Sequence, residues 1–393
     1  MMGCSTCSWD DSGSSAKLNQ FPAAKWEDVA TVCPGCSSPC RAGYSHNNGD
    51  GTFTDVSKES EIAGSLGKAW GVVATDINND GLMDPICGER YGCQLSFANR
   101  GKGRFEEIGL QADVAYNAEG QSRSGMGCDS ADFNEDGWMD LFVANINEEI
   151  YSPSIKTIAT KHSKTKLWTL GIGMATRSMS GWGLKFLDYD NDGNLDLFLA
   201  NGHPDDLIEE VYSGVKYSEP LMLFQNTGTA FQNVSQQSGP VFAKSFSSRG
   251  LAIGDFNNDG AVDVLISVND GAPVLLRNNN VGKNHWLGVR LIGKNQIRTR
   301  SGPALPTRQA ILKRNRMKVG GGSFLSSHDP RIVLGTGKQS KITWLEVRWP
   351  QPSGAVERFT GSPHRSLHHD CGGDRQMGSR YWCRLRLAAK TFH

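Results

Sequence analysis

One nine-residue pattern recurs four times in this chain: DINNDGLMD from Asp76, DFNEDGWMD from Asp132, DYDNDGNLD from Asp188 and DFNNDGAVD from Asp255. The shared form D-x-[DN]-x-D-G-x-x-D sets carboxylates or amides at alternate positions, then a glycine, then a further aspartate. A hard cation such as Ca²⁺ takes roughly six to eight oxygen ligands, and side chains at loop positions 1, 3 and 5 converge on one ion where the backbone turns sharply at position 6. Glycine stands there every time, as Gly81, Gly137, Gly193 and Gly260. Asp/Asn/Gly clusters also make ordinary turns, but a turn needs only two or three such residues and gives no reason for the closing aspartate. The pattern therefore predicts Ca²⁺ ligands at Asp76, Asn78, Asp80 and Asp84; Asp132, Asn134, Asp136 and Asp140; Asp188, Asp190, Asp192 and Asp196; and Asp255, Asn257, Asp259 and Asp263. The position-7 residues Leu82, Trp138, Asn194 and Ala261 are expected to add their main-chain carbonyls.

An EF-hand opens in a similar way, but its loop of about twelve residues closes on a bidentate Glu and leads into a helix. Position 12 here is Cys87, Val143, Leu199 or Ile266, and the loops run on into apolar strand-like stretches such as LFVAN or LFLAN. The closing ligand must then be the aspartate at position 9.

The loops begin 56, 56 and 67 residues apart, and repeats of that length suit blades rather than short solenoids. A second motif lies between them: an N-x-G turn followed by a strand with an aromatic anchor, at Asn47/Phe53, Asn99/Phe105 and Asn226/Phe231. One unit reads as four short strands, with the acidic loop between the first two. Four-stranded sheets repeated around an axis form a propeller. Blade one is expected at 67–110, blade two at 125–170, blade three at 181–236 and blade four, lacking its last strand, at 248–280. The segment Gly51–Val56 reads as a fourth strand without a blade; it either closes the ring on blade four or ends an earlier blade. The Gly-rich starts of the leading strands suit inner strands whose backbones approach one another closely.

Beyond residue 281 the acidic loops stop. HWLGVRLIG from His285, KVGGGSFLS from Lys318 and KITWLEVRWP from Lys341 read as strands, with Leu345, Val347 and Trp349 on one face and Glu346 and Arg348 on the other. The expected organisation is an irregular N-terminal segment (1–44), a propeller (45–280), a small β domain (281–362) and an irregular tail (363–393).

Composition narrows the partners. Lys+Arg and Asp+Glu both number 41, so no global field draws in nucleic acid or a membrane surface. No apolar run approaches the roughly eighteen residues of a spanning helix. The first twenty residues have neither a basic n-region nor an apolar h-region, so no secretion signal is expected in them. Cys4/Cys7 and Cys33/Cys36 have the spacing of zinc half-sites, but their surroundings lack knuckle patterning and incidental thiols are the preferred reading.

The loops, the strand LFxAN and the turn N-x-G-x-G-x-F-x-[DE]-V resemble the FG-GAP or VCBS repeats of integrin α-chain propellers. Together with GKNHWLGVRLIG and KVGGGSFLSSHDPRIVLGTG, the chain from about 45 to 362 resembles the ASPIC/UnbV family. The resemblance implies an all-β fold, a β-propeller of at least four FG-GAP/VCBS-type blades with a small C-terminal β domain. It also implies a secreted or periplasmic, non-catalytic, calcium-binding protein that serves adhesion or interaction with a protein or glycan. Four stretches depart from the pattern: 85–95, where Pro85 enters a strand; 151–170; 295–310, where the family carries an Asn-Arg-Asp and Gly stretch; and 363–393. Sharp loss and recovery of pattern suggests short reading-frame disturbances, leaving blades one and two locally compromised.

No nucleophile elbow, P-loop, H-E-x-x-H helix or dinucleotide fingerprint occurs. His203, beside Asp205 and Asp206, is the one acid/base candidate, and a loop histidine without a nucleophile reads better as structural. His368, His369 and Cys371 lie in the basic tail, which reads as a solvated end, and Asn233 opens an N-x-S sequon. The alternatives to a binding module are a propeller enzyme, a lyase or hydrolase of polysaccharide, and a partly disrupted, non-functional product.

Overall fold

The computed structural model describes residues 30–31, 40–67, 69–89, 94–112, 114–117, 120–149, 152–154, 171–280, 283–292, 307–309, 313–340, 342–351, 353–360 and 380–386. Blade three shows the repeat whole: Gly181–Leu187, Asp196–Asn201, Met222–Asn226 and Phe231–Asn233 pair antiparallel in sequence order. Every residue of its first two strands is buried, which explains why GWGLKFL and DLFLAN run apolar instead of alternating: neighbours cover both faces of the sheet. Blade one is likewise complete, with Ala69–Thr75, Asp84–Glu89, Leu95–Asn99 and Phe105–Glu107. Blades two (Cys128–Ala131, Asp140–Val143, Ser152–Ser154) and four (Ser248–Gly254, Asp263–Val268, Val274–Leu276) show three strands each.

Cores form between blades. Val73 and Ile86 of blade one meet Leu141 and Val143 of blade two; Phe133 and Phe142 of blade two meet Phe186, Leu199 and Phe231 of blade three; Leu187 and Leu223 meet Leu251 and Ile266 of blade four. The leading strands stand side by side through glycines in equivalent places. A Cβ on Gly71 would lie 2.5 Å from the Met126 carbonyl oxygen, one on Gly127 1.9 Å from that of Trp182, and one on Gly183 2.6 Å from Leu251 Cβ. Each such glycine admits the backbone of the next blade.

After blade four the succession changes partner. A Cβ on Gly250 would meet Ser326 Oγ and the Phe324 carbonyl, both from the C-terminal part of the chain. Gly320–Gly321 in turn pairs antiparallel with the leading strand of blade one. A strap around residues 314–331 thus touches the leading strands of all four blades, Ser323 bridging to Cys128 of blade two and accepting the Leu184 N–H of blade three on its Oγ, and no closed ring of blades is found among the described residues.

Several expectations are corrected. Of the two readings of Gly51–Val56, closure on blade four is excluded: Phe53–Asp55 pairs with Gly43–Asn47, which pairs with Ala30–Thr31, so it ends a small sheet ahead of blade one, nearer the other reading. Phe53 is 48% exposed rather than an anchor, while Phe105 and Phe231, each with a blade behind it, are buried. Pro85 does sit in a strand: it faces Ala74, and the ladder to the third strand begins only at Ile86, so the missing N–H breaks no pairing on that side. Blade one is therefore not compromised over 85–89. Of 151–170 only Ser152–Ser154 is described, and 90–93, 295–306 and 363–379 lie outside the described residues.

The C-terminal part packs two sheets over a core of Leu287, Val289, Leu291, Leu334, Leu345, Val347 and Trp349. His285–Ile292 pairs with Arg331–Gly337, and Ile342–Arg348 with Val356–Thr360 and Thr307–Gln309. Glu346 faces away from that core as its alternation predicts, yet its carboxylate is covered, held by Arg348 at 2.8 Å and Arg358 at 2.6 Å. Lys318–Ser326 is mostly strap, not strand. Arg380–Arg386, expected in an irregular tail, runs parallel to His285–Ile292.

Candidate metal centre and its neighbours

The four acidic loops share one internal design. The position-1 aspartate accepts the N–H of the position-6 glycine, at 2.8 Å for Asp76, 3.0 Å for Asp132, 2.9 Å for Asp188 and 2.8 Å for Asp255. The position-3 oxygen accepts the position-5 N–H (Asn78, Asn134, Asp190, Asn257), and the position-5 carboxylate accepts the position-7 N–H of Leu82, Trp138, Asn194 and Ala261. Position 4 is left-handed in every loop, with φ of 59° at Asn79, Glu135, Asn191 and Asn258, and the glycine two residues on also has positive φ. These left-handed positions curl the loop so that its oxygens turn inward.

Position 9 opens the second strand. Asp84, Asp196 and Asp263 each accept the position-2 N–H with one oxygen and, with the other, the N–H of an asparagine at the end of the third strand: Asn99, Asn226 and Asn278, all at 2.8 Å. The asparagine side chains add more. Nδ2 of Asn226 donates to the carbonyls of Leu195 and of Phe133 in loop two, and Nδ2 of Asn278 to those of Val262 and of Tyr189 in loop three. In the sequence these asparagines read only as turn residues; their recurrence at the end of each third strand is the signal that marks them.

Among the described residues, Asp188, Asp190 and Asp196 bring carboxylate oxygens within 4.8 Å of one another. Asp192 joins them in charge, and in the other loops Asn78, Asn134 and Asn257 replace the second carboxylate of this trio. Within the acidic loops, three buried carboxylate oxygens among the described residues have no hydrogen-bond donor: Asp132 Oδ1, Asp140 Oδ2 and Asp188 Oδ1. Burial first, and the neighbouring loop aspartates with it, push the carboxyls up, to about 7 for Asp84, about 8 for Asp140 and about 8 for Asp188, with Asp196 well above the usual range. Buried acceptors without donors, crowded against like charge, are the surroundings a divalent cation relieves. The donor set, all oxygen, fits Ca²⁺.

The C-terminal part lies against all four loops. Arg314 donates to the Gly193 carbonyl and to Asn194 Oδ1, and pairs with Glu135 at 2.8 Å. Arg316 also reaches the Gly193 carbonyl, Arg331 donates to the Asp255 carbonyl at 2.6 Å, and the Gln351 N–H donates to the Gly81 carbonyl at 2.8 Å. A Cβ on Gly335 would fall 2.0 Å from Asp188 Oδ2, and one on Gly260 1.7 Å from the Trp286 ring. The side chain of Asn194 joins the two parts: its Nδ2 donates to Asp192 Oδ2 within the loop at 2.8 Å, while its Oδ1 accepts from Arg314. Position-4 residues join loop to loop: Asn79 donates to the Gly137 carbonyl and Asn191 to that of Gly260.

His203 is built into a structural network. Its Nε2 lies 3.1 Å from Asn147 Oδ1, its Nδ1 3.1 Å from the Asp205 main chain, and Arg249 donates to its carbonyl. Burial lowers its pKa. Cys87 and Cys128 are buried free thiols. The side chains of the cysteines with zinc-like spacing, and of His368, His369 and Cys371, lie outside the described residues. No described helix is long and apolar enough to cross a membrane.

Comparison with known proteins agrees with this layout. The FG-GAP-like repeat model matches residues 25–87 and 188–266, and the ASPIC and UnbV model matches 307–369. Human cartilage acidic protein 1 is 25% identical over 310 residues, covering 75% of this chain and 43% of that protein. The Xenopus tropicalis protein of that name is 26% identical over 307 residues, covering 74% and 44%. The chain thus spans less than half the length of these relatives. A solved Agrocybe aegerita structure described as recognising non-reducing terminal N-acetylglucosamine overlaps 65% of this chain and 67% of its own, at 15% identity and a TM-score of 0.37, too loose a superposition to define the fold. The chain thus carries FG-GAP-like repeats followed by an ASPIC and UnbV domain, and is similar to cartilage acidic protein 1 over about three quarters of its length.

Proposed function

We propose that this chain is a non-catalytic, calcium-binding repeat protein that works outside the cell in adhesion or in binding a protein or glycan. The observation that carries the calcium reading is the convergence of Asp188, Asp190 and Asp196 within 4.8 Å in a loop whose Asp188 Oδ1 is buried without a donor. Three further loops repeat its internal hydrogen bonds. Ca²⁺ bound to the folded form alone adds stability as RT ln(1 + [L]/Kd), about 1.4 kcal/mol per site at a tenfold excess over Kd. Affinities of extracellular modules, commonly about 10⁻⁴ to 10⁻³ M, match a millimolar-calcium setting. The extracellular setting is supported by the relatives' name, and the binding role by His203, whose ring nitrogens are taken up by Asn147 and the Asp205 main chain instead of facing a nucleophile.

The test is a calcium titration followed by melting curves. Millimolar Ca²⁺ is expected to raise the melting temperature of the full chain well above its value in EGTA, and Asp188→Ala or Asp192→Ala to shrink that rise. Identical curves in EGTA and Ca²⁺ would remove the reading.

A further inference from the structure

Each blade is covered by the next through the same positions. The second residues of loops one to three, Ile77, Phe133 and Tyr189, pack against the following blade, and so do the eleventh residues counted from the same first aspartates, Ile86, Phe142 and Phe198. Leu223, opposite Phe198 on the third strand, joins them. The equivalents in blade four are Phe256, Leu265 and Leu275, with Leu265 again opposite Leu275. They are 54%, 46% and 54% exposed, whereas Ile86, Phe142, Phe198 and Leu223 are all buried. A lone exposed leucine is ordinary on a protein surface. Three apolar side chains that match an internal interface position for position form a contact face.

The other half of that contact is carried by the small sheet ahead of blade one. A fourth-strand aromatic reaches back to the unit before it: the Phe231 ring of blade three lies 5.3 Å from the Phe133 ring of blade two, and the Phe105 ring of blade one 5.2 Å from the Tyr44 ring of the small sheet. Phe53 holds the same place in the small sheet, opposite Asn47 as Phe105 is opposite Asn99 and Phe231 opposite Asn226. Residues paired across strands share a face, and Asn47 stands three residues from Tyr44, so Phe53 and Tyr44 point to opposite faces. With Tyr44 turned to blade one, Phe53 is turned away from it and half-exposed. Opposite charges flank the two faces, Asp55 two residues on from Phe53 and Arg277 two residues on from Leu275, an arrangement that favours one docking orientation over others. Within one chain both faces stay bare, because the small sheet is already seated on blade one.

We propose that blade four binds the small N-terminal sheet of a second copy of this chain, with Phe256, Leu265 and Leu275 of one copy packing on Phe53 of the other as Phe133 packs on Phe231 within the chain. The contact is head-to-tail: every copy offers both halves, and association either closes a ring or continues. Sedimentation velocity of the full chain from about 0.1 to 100 μM, at one Ca²⁺ concentration, spans the range in which a contact of micromolar Kd forms. The wild type is expected to pass from monomer to larger species as concentration rises, and Phe53→Ser and Leu265→Ser each to weaken that association at least tenfold. Mixed together, the two variants should form a dimer and nothing larger, since one keeps an intact blade four and the other an intact small sheet. A wild type that stays monomeric throughout would overturn the assignment, as would association unchanged in both variants or a mixture that stays monomeric. Association that survives Phe53→Ser but not Leu265→Ser would also overturn it, because blade four would then be pairing with blade four. Both side chains are about half exposed, so the variants should melt as the wild type does; where one does not, Phe53→Gln or Leu275→Ser takes its place.

Discussion

At the scale of single residues, close approach decides more than side-chain chemistry. Gly127 has no room for a methyl group, since a Cβ would stand 1.9 Å from the Trp182 main-chain carbonyl oxygen, which cannot swing aside as a side chain could. Gly127→Ala is expected to cost about 3 kcal/mol or more, as overpacking between fixed elements does, whereas Gly64→Ala, whose Cβ meets nothing within 4 Å, should be neutral or slightly stabilising; denaturant unfolding of both variants checks the contrast. Glu219 is a different case. Its Oε2 accepts the Ser180 N–H at 2.7 Å, Oε1 is buried without a donor, and burial raises its pKa from 4.5 to about 8. The folded chain thus holds a proton that the unfolded chain releases, so stability from this group is complete below pH about 4.5 and falls as pH rises through about 8. Glu219→Gln should match the wild type near pH 5 and melt at a higher temperature at pH 8, compared at one calcium concentration. Parallel pH profiles for the two proteins would contradict the raised pKa.

At the scale of elements, the blade is held as much by its polar clasp as by its apolar faces. The asparagine closing the third strand fixes the position-9 aspartate through its N–H and ties its blade to the preceding loop through Nδ2. Asn226→Ala strips donors from two main-chain carbonyls, one of them in loop two, and is expected to cost about 2 kcal/mol. Melting curves in EGTA isolate that cost from any metal effect. The short apolar runs, the acidic loop and the N-x-G turn all repeat locally, which is why strand order within blades one and three is legible from residues alone. Phe53 misleads because its motif matches those of Phe105 and Phe231 in type, and only the presence of a neighbouring blade decides whether an aromatic ring is covered.

At the scale of the whole molecule, the acidic loops and the C-terminal part share one surface. Arg316 reaches the Gly193 carbonyl and lies near Asp188 and Asp132, so its charge and a bound Ca²⁺ repel. Arg316→Met is therefore expected to tighten calcium binding by roughly fivefold, about 1 kcal/mol, while lowering stability in EGTA; calorimetric titration of the folded variant checks the sign, and unchanged affinity would mean that the arginine and the ion do not share the carboxylates' field. Residue order alone shows whatever repeats at short range: the acidic loop, the glycine at each sharp turn, the N-x-G turn, and the change of pattern after residue 281. It gives no sign of the strap, the seating of Arg314 on Glu135 across 179 residues, or the cavity beside the strap that Lys185 and Lys318 help to line. Those contacts have no period along the chain, and they exist only once the blades have assembled and left a gap that the C-terminal glycines can enter.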